Sequence, residues 1–135
     1  MVIKLANDTS FEYLSCIDDE EFYNGSSRRT LTFKCEVGVI SVDELNAILL
    51  NEDNSKTIEL TGDPEAQYDD NGEFLGYHIP KSIHDGYVLK LDVGIKPVLV
   101  TPESPEAPAV YKDRLVFKLG RRTFLEQAIK DLGIK

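Results

Sequence analysis

From Thr30 to Val37 apolar and polar residues alternate without a break. Leu31, Phe33, Cys35 and Val37 share one face, while Thr32, Lys34 and Glu36 share the other. This is the period-two signature of a half-buried strand. Ser41-Val42-Asp43-Glu44 then reads as a capping box, with Ser41 accepting from the free amides and Glu44 reaching back. Val42, Leu45, Ile48 and Leu49 fall on one face of a short helix, predicted over about 42–51. Lys56 to Thr61 resumes the alternation, so the region from Thr30 to Thr61 reads as strand, helix and strand.

The flanking segments follow the same grammar. Val2 to Ala6 predicts a strand, Asn7-Asp8 a turn, and Ser10 to Ile17 the second arm of a hairpin. Asp18-Asp19-Glu20-Glu21 reads as a solvated corner, and Asn24 to Arg29 as a flexible polar lead. Asn71-Gly72 signals a two-residue hairpin turn between a strand near Gln67 and another at Phe74–Tyr77. Tyr87 to Val100 is the longest β-prone run, with Gly94 marking a bulge or close approach and Pro97 closing its regular part. Val110 to Leu119 is the return strand, with Leu115, Phe117 and Leu119 inward, and Gly120 breaks it. Thr123 to Glu126 forms a second capping box before a helix at about 124–132, with Gly133 as its C-terminal cap. Its stripe of Phe124, Leu125, Ala128, Ile129 and Leu132 is expected to pack on the sheet, because so short a helix has little stability alone, with docking to another subunit as the alternative.

About seven strands and two short helices place the chain in the α+β class, as a mostly antiparallel β-sandwich or small barrel. A length of 135 residues suits one domain spanning 1–135. Between the last two long strands, Thr101 to Pro108 holds three prolines and cannot enter a sheet interior, so it is expected to be an extended, exposed and mobile loop.

Charge narrows the functional classes. The formal net charge is −9 and the isoelectric point about 4.7, a balance that repels a phosphate backbone and argues against nucleic acid as partner. No run approaches a transmembrane length and the first residues lack the apolar core of a signal peptide, so a cytoplasmic origin without membrane attachment is expected. Cys16 and Cys35 sit among apolar neighbours and read as reduced core thiols. Asp69 to Glu73 lacks the ligand spacing of a calcium loop, and the two histidines, His78 and His84, have no acidic or thiol partner at a catalytic or ligand spacing. No cofactor, metal or catalytic residue is therefore assigned. Contact with a partner protein falls instead to Arg28 and Arg29, since arginine is enriched at interfaces, and to Pro102, Glu103, Pro105 and Glu106 of the proline loop.

Several ordered segments carry a family resemblance. They are Ile3 to Thr9, Gly25 to Leu31, Ser41 to Leu45, Tyr87 to Leu91, the proline loop, and Phe117 to Glu126. In these the chain resembles small tail- and baseplate-associated proteins of siphophages and prophages of Gram-positive bacteria. The resemblance implies a non-enzymatic structural role in a tail tip or baseplate, with other tail proteins as partners or as a homo-oligomer. It also implies residence in the virion tail, after synthesis in the host cytoplasm. The alternative is a small acidic phage-encoded inhibitor that uses its charge to occupy a basic groove on a host defence protein.

Overall fold

A computed structural model describes residues 1–23 and 25–133, and it is mostly antiparallel β with two helices. One four-stranded sheet runs β2-β1-β5-β8, built from β1 (Val2–Lys4), β2 (Ser10–Glu12), β5 (Thr57–Thr61) and β8 (Lys81–Asp85). The other runs β3-β4-β10-β9, built from β3 (Ser15–Tyr23), β4 (Ser26–Glu36), β9 (Leu89–Thr101) and β10 (Val110–Gly120). A two-stranded ribbon of β6 (Glu65–Tyr68) and β7 (Phe74–His78) stands apart from both. The helices are α1 (Val42–Leu49), followed by a 3-10 turn at Glu52–Asn54, and α2 (Phe124–Asp131). Among the described residues the strands number ten rather than about seven, and no sheet closes into a barrel.

The core lies where the two larger sheets and α1 meet. Ile3, Phe11, Ile58 and Leu60 come from one sheet, Leu31, Phe33, Cys35, Leu115, Phe117 and Leu119 from the other, and Leu45 and Leu49 from α1. Phe33 and Phe117 pair directly across β4 and β10 with stacked rings 4.8 Å apart, and Phe11 meets Phe117 from the opposite sheet at 5.9 Å. Each fully buried side chain of this size contributes roughly 1.5–3 kcal/mol relative to exposure.

Several boundaries differ from the sequence reading, each for a local reason. Ser10 to Ile17 is two strands in two sheets: the Tyr13 N–H donates to the Met1 carbonyl of the first sheet, and the Leu14 N–H to the Lys34 carbonyl of the second. Apolar residues on both faces of that run let it cross the core. The acidic residues Asp18 to Glu21 are strand rather than corner, paired along β4, with Asp18 bound to Arg29 at 2.7 Å and Glu21 to Lys118 at 2.9 Å. Opposite charges across a ladder stabilise such a pairing. Just before β4, Gly25 takes φ +83°, and Asn24 lies outside the described residues.

Pro97 does not end β9, which pairs with β10 as far as Thr101. β9 is an edge strand, the place in a sheet where proline is tolerated. Gly94 pairs in register with Val116; the irregularities fall instead at Leu91 and Val100. Gly120 closes β10 in register with Thr30 rather than breaking it. A Cβ there would stand 2.9 Å from Leu91 and 3.2 Å from Arg28, so the glycine makes room for close packing. The β6–β7 connection is a five-residue loop over 69–73 rather than a two-residue turn at Asn71-Gly72, with the Asp69 carboxylate accepting from the Asn71 and Glu73 N–H groups at 2.9 and 2.8 Å. Gly72 there takes φ +82°.

Candidate interaction surfaces

Arg28 is 3 % exposed, so it offers no contact to a partner. Its β4 position places it on the face opposite Leu31, Phe33 and Cys35, beside Thr30 and Gly120. All five guanidinium N–H donors are used. Nε and Nη2 donate to the Tyr23 carbonyl at 3.3 and 3.0 Å, and Nη1 to the Arg121 carbonyl at 3.0 Å. The other two grip the Glu126 carboxylate, at 2.7 and 3.1 Å, in a bidentate fork. Glu126 also completes the capping box of α2 by accepting from the Thr123 N–H at 2.8 Å. Hydrogen bonding to Arg28, with that from the Thr123 backbone next, holds the Glu126 carboxyl down to about 2.

This ion pair orients α2. A second tether joins Lys130 of α2 and Arg122, just before it, to Glu52 of the 3-10 turn. Both tethers involve charged residues near or on the polar side of the helix, so the apolar stripe is left outside. Phe124 is 92 % exposed, Leu125 67 % and Leu132 75 %, and no residue of α2 is buried. The expectation that this stripe packs into the core is overturned. The inner face of the β3–β10 sheet is already filled by the other sheet and α1, and the face left to α2 is lined by Arg28, Thr30 and Lys118.

The β6–β7 ribbon projects a second apolar surface. The Gly62 N–H donates to the Pro80 carbonyl at 2.8 Å and links the ribbon to the β5–β8 ladder. Tyr68 pairs with Phe74 and Ala66 with Tyr77, which puts the three aromatic rings on one face. They touch at centroid distances of 5.9 and 5.2 Å, each ring remaining more than half exposed.

The β9–β10 hairpin projects a third. At its tip Pro102, Glu103, Pro105 and Glu106 are all exposed, as the sequence suggested. The loop is folded by a turn in which the Ser104 N–H donates to the Ala107 carbonyl at 2.9 Å and the Ala107 N–H to the Ser104 hydroxyl at 3.2 Å. Ile95, Leu99, Val110 and Tyr111 are exposed along the arm below. Arg29 is half-exposed and pairs with Asp18 at 2.7 Å, well separated in sequence from this tip. The predicted contact residues thus divide into a buried tether, one surface ion pair and a loop tip. The aromatic face of the ribbon was missed as a surface, and docking was only the second reading of the α2 stripe. Their side-chain pattern was visible, but an amphipathic pattern does not say what covers it.

The groups with reactive potential do not converge. Burial pushes the Cys35 thiol up to about 12 and, with Asp18 adding a smaller effect, the Cys16 thiol to about 11. Both are protonated at neutral pH and poor nucleophiles. Ser82 Oγ lies 3.1 Å from His84 Nε2 on an exposed edge strand. Among the described residues no group of three or more His, Cys, Asp or Glu is placed to hold a metal ion, and no helix is long and apolar enough to cross a membrane. No family model, curated protein or solved structure matches the chain.

Proposed function

We propose that this chain is a non-enzymatic assembly protein of a phage tail tip or baseplate, acting through protein–protein contacts with other tail proteins or with copies of itself. The observation that carries the assembly role is the outward placement of large apolar side chains on three separate elements: α2, the β6–β7 ribbon and the β9–β10 arm. Contiguous exposed apolar surface of this kind marks interaction sites. The tail assignment rests on the segment resemblance. On this reading the chain is made in the host cytoplasm and resides in the virion tail.

The acidic-inhibitor reading has less support. Asp18 is bound to Arg29, and Glu21 to Lys118 and Thr30, so much of the acidic run is satisfied within the sheet and not free to imitate a phosphate row. The test is a size measurement on the purified protein, alone and mixed with each protein encoded beside it. A stable complex with a tail protein, and sedimentation with particles, is the expected result. A protein that stays monomeric in every mixture overturns the proposal.

A further inference from the structure

We infer that the outer edge of β7 pairs antiparallel with β7 of a second copy of this chain, joining two β6–β7 ribbons into one four-stranded sheet. The inference deepens the assembly reading and rests on it. An unpaired strand edge offers N–H and C=O groups to any other strand, and proteins ordinarily block such edges with charge, proline or shortness. Among the described residues three open sheets give six edge strands, and five are blocked in one of these ways. β2 has three residues, one of them Glu12, and β6 has four and opens on Glu65. β3 carries Asp18 to Glu21, β8 carries Lys81 and Asp85, and β9 carries Lys90, Asp92, Lys96 and Pro97. β7 is the exception. From Phe74 to Pro80 there is no lysine, arginine, aspartate or glutamate, and Phe74, Leu75, Tyr77 and Ile79 are all exposed.

The ribbon also lacks support of its own. Two strands alone are marginal in water and become stable with further strands or with packing on another element, and no residue of β6 or β7 is buried. The irregularity at Leu75 lies on the side of the tip and leaves Gly76, Tyr77 and His78 in regular register with Gln67, Ala66 and Glu65. Charge selects the occupant. A net charge of −9 opposes contact between copies over most of the surface, and β7 is an edge where that opposition is absent. Antiparallel pairing about Tyr77 sends the two acidic loops, with Asp69, Asp70 and Glu73, to opposite ends of the joint. Each loop then approaches His78 and Lys81 of the other copy. Lys81 is exposed there, 3.5 Å from Glu59. Such a two-fold contact uses the same edge on both copies and closes after two, so it gives a dimer and not a fibre.

The experiment is sedimentation equilibrium of the full chain over a concentration series, with amide exchange measured at the same concentrations. The expected result is a monomer–dimer equilibrium in which amides of residues 75–79 gain protection as the dimer forms. Tyr77→Lys sets like charges opposite each other and should raise the dissociation constant about 30-fold or more. Phe124→Lys, which adds the same charge on α2, should change it little. Mixing the Tyr77→Lys chain with a Tyr77→Glu chain should restore the dimer, because opposite charges then meet across the joint. Tyr77 and Phe124 are both exposed, so folding is expected to be retained, which circular dichroism checks. A wild type that stays monomeric up to about 1 mM overturns the inference. So does a dimer that Tyr77→Lys leaves intact, a dimer that Phe124→Lys abolishes, or a charge-swapped mixture that does not pair. If the wild type is monomeric alone but binds a tail protein, and Tyr77→Lys loses that binding, the edge serves a strand of another protein. The second-copy inference then falls and the assembly proposal stands. If the wild type is monomeric alone and in every mixture, both fall.

Discussion

α1 and α2 are each eight residues long, start on a hydroxyl cap and carry an apolar stripe, yet α1 buries Leu45 and Leu49 completely while α2 buries nothing. The difference lies in where the chain delivers them. α1 follows β4 of one sheet and precedes β5 of the other, so it is pinned over the seam between the sheets with its stripe on the core. α2 leaves β10 beyond Gly120, on the polar face of the sheet, where Arg28 waits for a carboxylate. Amphipathicity specifies that a face wants cover. Position in the chain decides whether its own fold supplies it.

The sharpest way to break the comparison is to truncate one leucine in each helix. Leu45→Ala should cost about 3 kcal/mol in urea unfolding, because it opens a cavity in a filled core. Leu125→Ala should stay within about 0.5 kcal/mol, as exposed positions usually do. Equal losses would mean that α2 is packed after all.

Next in size is the tether. Glu126→Ala strands the buried Arg28 charge and should cost about 2–3 kcal/mol, at or below the usual range for breaking a buried pair because one partner is partly hydrated. Amide exchange should rise across α2 and not across α1. The carboxyl of Glu126 is depressed by folding, so its contribution is complete above its ordinary value of 4.5 and is lost as pH falls towards about 2. Protection of α2, corrected for the intrinsic pH dependence of exchange, should therefore fall progressively from about pH 4.5 to about pH 2, and Glu126→Gln should abolish that acid step. Complete loss of protection in α2 already at pH 4 would contradict the role given to Arg28.

Gly120→Ala tests the same junction from below. Its Cβ would press on Leu91 and Arg28, at an expected cost of about 1–2 kcal/mol. The smallest effects belong to the caps. Ser41→Ala should lower global stability by about 1 kcal/mol, whereas Thr123→Ala should speed exchange in α2 with a smaller change in the unfolding midpoint.

Much of the fold was legible in advance. The alternation of β4, the inward set Leu115, Phe117 and Leu119, both helix N-caps and the place of the ribbon turn, though not its length, are local matters, written in period and turn chemistry. The crossing between sheets at Tyr13-Leu14 and the pairing of Asp18 to Glu21 were not, because each depends on a partner strand distant in sequence or on a second surface. The same limit governed the candidate surfaces. Pro102 to Glu106 had to be exposed, since proline cannot enter a sheet interior. Arg28 had no local mark to show that Glu126, nearly a hundred residues on, would claim it.

By itself, then, the amino-acid order determined which segments are strand or helix, where the helices begin and which side chains prefer to leave water. Those choices are made by neighbours within a few residues, through dihedral preference, capping and alternation. Only the tertiary structure decided that one amphipathic helix closes the core while the other turns its apolar side outward. That outcome depends on which sheet face is already filled, and on a buried guanidinium whose five donors are satisfied only when strand, turn and helix come together.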